Sequence, residues 1–162
     1  IDDAVEDGIS FFENALKKAR HGSNKSGLLT IADDSGLVVP GLDYEPGIYS
    51  ARYAGEGASD KDNSDKIIDQ LNKKNVTSLE AFYICVLVGV RSDLDPIPLY
   101  SIGEIHGRIS TKSSGDGGFG YDKIFYPNGY DISMASIDPE EKNKISHRAV
   151  AARSFIKELE KL

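Results

Sequence analysis

The chain is 162 residues long, 40% hydrophobic and 28% charged, with 26 acidic against 19 basic side chains and a net charge of −7. That apolar share supports a core-forming globular domain and argues against disorder, while the acidic balance disfavours a broad footprint on a nucleic-acid polymer. The one cysteine, Cys85, leaves no internal disulfide framework and points to a reducing, cytoplasmic compartment. The longest apolar run, from Ala81 to Val90, is about half of what a membrane-spanning helix needs.

Residues 11–21 read as a helix, with Phe12, Ala15, Leu16 and Ala19 on one stripe and Gly22 as its stop. After a polar loop, residues 28–32 read as a short buried strand that Asp33-Asp34-Ser35-Gly36 ends abruptly. Pro40-Gly41 and Pro46-Gly47 mark turns. Ser59 is the N-cap candidate of a second helix, with Asp60 and Asp62 in its first turn and Ile67, Ile68 and Leu71 on its buried side.

Residues 81–91 form the strongest strand, apolar on both faces and therefore central. A turn at 92–96 and a second strand at 97–109 complete an antiparallel hairpin. A loop follows over 110–122, with Gly115, Gly117, Gly118 and Gly120. Asp138-Pro139-Glu140-Glu141 is a helix start. Ser146 can cap a further helix, so a break is expected near 145–146, followed by an amphipathic stretch carrying Ala152, Phe155, Ile156 and Leu159.

Three constellations could carry chemistry. Adjacent carboxylates at Asp33-Asp34, at a strand end, suit Mg²⁺, which takes hard oxygens and often only one or two from the protein; the structural alternative is a turn in which Asp and Ser bond their own backbone. The glycine loop running into Phe119-Gly120-Tyr121-Asp122 offers backbone N–H groups and two aromatic faces; the alternative is a connection whose rings return to the core. Lys142 with Ser146-His147-Arg148 offers a point charge, a donor and a fork for phosphate or carbonyl oxygen beside a helix N-terminus; the alternative is solvated surface charge. Glu13 and Lys17 are spaced for an i,i+4 pair. Cys85 reads as a small core residue, and His21 and His106 lack metal-ligand spacing.

Five motifs in order carry a resemblance: Phe12-Glu13-Asn14-Ala15 running into Lys17-Lys18-Ala19; Ala32-Asp33-Asp34-Ser35-Gly36-Leu37; Pro46 through Gly55; Gly118-Phe119-Gly120-Tyr121-Asp122; and Glu141-Lys142 with Ser146-His147-Arg148. Together they resemble the inosine triphosphate pyrophosphatases, the noncanonical purine NTP pyrophosphatases. The resemblance implies an α/β fold in which an elongated mixed β-sheet divides two lobes with a central cleft. It implies a homodimer, Mg²⁺, and hydrolysis of ITP, dITP and XTP to the monophosphate and pyrophosphate, which cleanses the nucleotide pool. The family opens with a strand and a phosphate-binding loop that this sequence lacks, so residues 1–162 are read as one domain that is N-terminally incomplete.

Carried onto this sequence, the resemblance makes Asp34 the general base and a metal ligand, with Glu6 or Asp7 a candidate second ligand. It gives Ser35 a substrate contact, has Phe119, Gly120, Tyr121 and Asp122 line and stack on the nucleoside, and has Lys142, His147 and Arg148 read the 6-oxygen of the purine. Lys17 and Arg52 are basic residues without an assigned role. Two rival readings remain. One is a Mg²⁺-dependent phosphatase forming an aspartyl-phosphate on Asp33 or Asp34; the other is a non-catalytic nucleotide-binding domain.

Overall fold

A computed structural model describes residues 2–161. Its elements in chain order are α1 (Phe11–Ser26), β1 (Thr30–Val38), α2 (Asp60–Lys73), β2 (Ser78–Val90), β3 (Leu99–Ser110), β4 (Phe125–Pro127), α3 (Pro139–Ile145) and α4 (His147–Leu159), with 3₁₀ turns at Pro40–Leu42, Gly47–Arg52 and Met134–Ser136. The fold is α/β, and the strands form one sheet in the order β1-β2-β3-β4. The eight residues between β2 and β3 are too few for a parallel crossover, so the expected hairpin stands. Asp95 closes it by accepting from the Arg91 backbone, the Arg91 guanidinium and the Ile97 N–H. β4 pairs antiparallel with β3, Gly107 opposite Pro127 and Ile109 opposite Phe125.

The chain divides into two compact units. The first comprises the segment up to Ser35, Ile84–Glu104 and the segment from His147 onward; the second comprises Gly36–Tyr83 and Ile105–Ser146. In the first, Ala15 and Ala19 of α1 pack on Val86, Val88 and Val90 of β2, with Phe11, Leu16, Ala32 and Ile84 around them. In the second, Leu37, Val39, Ile67, Leu71, Tyr83, Ile109, Tyr121, Ile124, Phe125 and Met134 share a core.

Four expectations need correction. Gly22 does not stop α1, which runs on to Ser26 and ends at Gly27 in the left-handed conformation (φ 69°). Gly22 instead allows close approach, because a Cβ there would lie 2.8 Å from Thr30 Cγ2. Its buried stripe is Asn14, Ala15, Ala19 and Ser23, and Phe12 is exposed. The strand expected at 28–32 is neither buried nor broken at Asp33: β1 starts at Thr30, Leu28, Leu29 and Ile31 are exposed, and it continues to Val38, with both carboxylates on cationic partners. On α4 the buried stripe is His147, Ala151 and Phe155: Phe155 is buried as expected, but Ala152 and Ile156 are exposed. The helix is placed by two glycines of the sheet. A Cβ on Gly103 would lie 2.2 Å from the His147 carbonyl oxygen, and one on Gly89 would lie 2.7 Å from Phe155 Cζ. Ser101 Oγ donates to the Ala151 carbonyl at 2.8 Å.

Other expectations hold. Ser59 caps α2 and exchanges bonds with Asp62 in a capping box. Asp138 caps α3 by accepting from Glu140 N–H at 2.9 Å. The break falls at Ser146, whose extended backbone (ψ 151°) separates α3 from α4.

Candidate active site

The first unit gathers the acidic pair. Successive strand residues point to opposite sides of β1, so the two carboxylates meet different partners. Asp34 is buried, and its Oδ1 accepts from Lys18 Nζ at 3.0 Å. Lys18 also lies 3.4 Å from Glu6 Oε1, which brings a second carboxylate to the same ammonium. Asp34 Oδ2 is buried and has no hydrogen-bond partner among the described residues. Burial raises the Asp34 carboxyl above its ordinary value of 3.8; Lys18 and the Asn14 side chain oppose this, and the nearby Glu6 charge adds to it. Asp33 Oδ2 accepts from Ser35 Oγ at 3.0 Å and lies 3.5 Å from Arg148 Nε on the first turn of α4. Cys85 is buried beside Ser35, and burial pushes its thiol up, so it is a protonated core side chain as expected.

Lys18 and Asn14 stand in the first motif of the sequence but carry no assigned role there. They are four apart on α1 and so share a face. Asn14 is buried and accepts from Gly8 N–H at 2.9 Å, which ties the segment carrying Glu6 to the helix. Asp7, the other candidate ligand, is exposed and paired with Lys17. Lys17 is therefore not in an i,i+4 pair with Glu13, whose carboxylate accepts from Ile9 N–H and Ser10 Oγ instead. Among the described residues no group of three or more His, Cys, Asp and Glu side chains is placed to hold a metal.

The second unit gathers the glycine loop and Lys142. Phe119 N–H donates to Asp122 Oδ2 at 3.0 Å, Gly120 N–H to Asp60 Oδ2 at 2.8 Å, and Tyr121 N–H to Tyr83 Oη at 3.0 Å. The N–H groups that the glycine loop is expected to offer a ligand are taken at these three positions by the protein's own oxygens. Gly118 is required for two reasons: its φ is +74°, and a Cβ there would lie 2.3 Å from Asp122 Oδ2. The two aromatics part company. Phe119 is 55% exposed, with the Lys142 ammonium 4.6 Å from its ring centroid. Tyr121 is buried, and its hydroxyl donates to the Ser50 carbonyl at 2.6 Å. The Lys142 ammonium also donates to Asp122 Oδ2, and both side chains are largely enclosed. Arg52 stacks 5.2 Å from the Tyr49 ring and lies 3.8 Å from Glu56.

His147 begins α4 and is buried. No helix among the described residues is long and apolar enough to cross a membrane.

Residues 1–158 match the model of the Ham1 family. The "dITP/XTP pyrophosphatase" of Legionella pneumophila (strain Paris) is 47% identical over 92% of this chain and 77% of its own length. The protein of the same name in Acinetobacter baumannii (strain ACICU) is 47% identical over 99% of this chain and 78% of its own. A solved HAM1 protein from Coxiella burnetii superposes with a TM-score of 0.95 at 38% identity, covering all of this chain and 82% of that one. With most of its length matched and nearly half of its residues shared, the chain belongs to the Ham1 family.

Proposed function

We propose that this protein hydrolyses noncanonical purine nucleoside triphosphates (dITP, XTP and ITP) to the monophosphate and pyrophosphate. The observation that carries the reading is the buried carboxylate Asp34, with one oxygen on Lys18 and the other without a hydrogen-bond partner among the described residues, in a chain whose relatives are named for this substrate class. Asp34 is the general base. A carboxyl raised by burial is a stronger base than an ordinary one. It orients a water and takes its proton; the new P–O bond forms at the α-phosphorus, the bond to the bridging oxygen breaks, and pyrophosphate leaves.

The residues present suit a hard divalent cation, Mg²⁺. Two carboxylates, Glu6 and Asp34, flank one ammonium, and Asp34 keeps an oxygen in reserve. Such an ion needs one or two protein carboxylates when substrate phosphates complete its shell. Bound there, the ion supplies charge neutralisation on the phosphates. Lys18 adds a positive charge beside Asp34, and Ser35 contacts substrate next to the base.

Phe119 presents the face on which the purine stacks, in a loop anchored by Tyr121 and Asp122. Lys142 in the second unit and His147 and Arg148 in the first are the candidate donors to the 6-oxygen. Adenine presents an amino donor at that position, so a set of donors would be left unpaired against it; such mismatches give discrimination of about 10⁴. The protein works as a homodimer in the cytoplasm. Phe12, Tyr100 and Ile102 are exposed apolar side chains of the kind a partner subunit covers, with Phe12 edge-on to Tyr100 at 5.6 Å.

The test is a panel of dITP, XTP, ITP, dATP and ATP, with pyrophosphate and orthophosphate measured separately, with and without Mg²⁺. Pyrophosphate from the oxo-purines alone is expected, and Asp34→Asn should lower kcat by about 10²–10⁴. Orthophosphate as the product, or equal kcat/KM for ITP and ATP, would overturn the proposal.

A further inference from the structure

We infer that Tyr83 and Asp60 are positioning residues for the loop that presents Phe119, and through it set the affinity for the nucleobase. This rests on the reading that the loop meets the purine.

Tyr83 lies on β2 with its side chain in the core of the second unit, its ring 4.8 Å from Phe125 in an edge-on contact. Its hydroxyl serves two loop residues at once: it accepts from Tyr121 N–H at 3.0 Å and donates to Asp122 Oδ1 at 3.1 Å. Burial and the adjacent Asp122 charge raise the phenol well above its ordinary value, so the donated proton stays in place at any working pH. Asp122 in turn accepts from Phe119 N–H and from Lys142. One buried phenol therefore reaches the exposed Phe119 ring and the Lys142 ammonium through a single shared carboxylate.

Asp60 holds the loop from the other side. It is the first residue of α2, and its carboxylate accepts from Gly120 N–H at 2.8 Å. A cleft of about 430 Å³ lies at this point, lined by Asp60, Ser64 and Ile68 from α2 and by Gly118, Phe119 and Gly120 from the loop. The Asp60 bond ties the loop to α2 at this cleft, while the bond from Gly117 N–H to the Ala135 carbonyl at 3.1 Å holds its far end. With φ of +74° at Gly118 and +60° at Gly120, the loop backbone is permissive, and the side-chain acceptors Asp122, Asp60 and Tyr83 hold the N–H groups of residues 119–121 beside the loop's backbone bonds.

A loop ordered before binding costs less to order on binding. Removing an acceptor should therefore weaken nucleotide binding while sparing the chemistry at Asp34. The experiment is steady-state hydrolysis of dITP by wild type, Tyr83→Phe, Asp60→Ala and Asp60→Asn, with urea unfolding of each. Tyr83→Phe and Asp60→Ala are expected to raise KM about tenfold, the effect of one buried or charge-assisted bond left unmade, with kcat within about threefold of wild type. Asp60→Asn keeps an acceptor oxygen for Gly120, so its KM should return to the wild-type value. It has nevertheless lost the helix-terminal charge and should unfold more easily than wild type, though less easily than Asp60→Ala, which loses the bond as well. Should Tyr83→Phe fail to fold, the Asp60 pair decides. Unchanged KM in Asp60→Ala, or an equal rise in Asp60→Asn, overturns the inference while turnover by wild type leaves the function intact. Absence of pyrophosphate from wild type overturns both.

Discussion

Gly103→Ala tests how the sheet sets the position of α4 and of Arg148. An ideal Cβ at Gly103 falls 2.2 Å from the His147 carbonyl oxygen, 2.3 Å from Ala151 N and 2.9 Å from Ala151 Cα. All three are helix backbone, so no rotamer change relieves the clash. Reaching the 3.4 Å of ordinary contact requires α4 to back away by about 1.2 Å. A shift of that size at the first turn would carry Arg148 Nε, now 3.5 Å from Asp33 Oδ2, out of ion-pair range. It would also pull Phe155 from its niche over Gly89 and stretch the 2.8 Å bond from Ser101 to Ala151. Overpacking of this kind costs about 1–3 kcal/mol, or about 2–4 °C in Tm per kcal/mol for a chain of this size. Urea unfolding with an unchanged slope reads the stability, and kcat/KM on dITP corrected for the folded fraction reads the site. Ala152→Ser, one residue along and exposed, is the control and should stay within about 0.5 kcal/mol of wild type. A Gly103→Ala protein as stable and as active as that control would show that the helix is not seated on this glycine.

Three further outcomes are expected. Asp34→Asn should unfold at higher urea than wild type near neutral pH even as activity is lost. The raised carboxyl means that the stabilising contribution of Asp34 is present below about pH 3.8 and is lost as pH rises through its folded value, so the gain should vanish in acid; a less stable Asn variant near neutrality would contradict the burial argument. Lys142→Met leaves the enclosed Asp122 charge without its cation and should cost about 3–5 kcal/mol, while the double variant with Asp122→Asn recovers stability but not turnover; additive losses would sink this pairing. EDTA should abolish pyrophosphate release and Mg²⁺ restore it, and turnover that persists in chelator would remove the cation from the mechanism.

Local chemistry in the sequence foretold what local chemistry decides. The Ser59 cap, the Asp138-Pro139 start and the break at Ser146 depend on residues within a turn of one another, and they are where expected. The failures are of one kind, set by a neighbour distant in sequence. Gly22 looks like a helix stop until Thr30 fills the space beside it. Asp33-Asp34 looks like a turn until Lys18 and Arg148, one upstream and one far downstream, let the strand continue through it. On α4, Phe155 lies down as expected, but Ala151 rather than Ala152 faces the sheet because Gly103 leaves room for its backbone. Lys18, Tyr83 and Asp60 were legible as residues but not as partners. Nothing in a strand pattern says which buried tyrosine will put its hydroxyl against a glycine loop.

The candidate groups share an electrostatic design that bears on how a polyanion is received. Each cation already has an acid: Lys18 has Asp34 and Glu6, Arg148 has Asp33, and Lys142 has Asp122. Around Asp34 the tally is three carboxylates, Glu6, Asp33 and Asp34, against two cations, Lys18 and Arg148, and this local excess of negative charge matches the chain's −7 overall. A triphosphate entering such a place meets repulsion unless positive charge comes with it. Residues that only exchange one partner for another gain little, because a carboxylate abandoned in a partly buried setting is costly. A divalent cation would resolve both difficulties, since it would neutralise phosphate and would give the carboxylates a new partner if Lys18 or Arg148 turned to the substrate. The acidic character of the chain is thus compatible with an anionic substrate, and it makes affinity for the nucleotide depend on cation concentration more steeply than a lysine-lined cleft would.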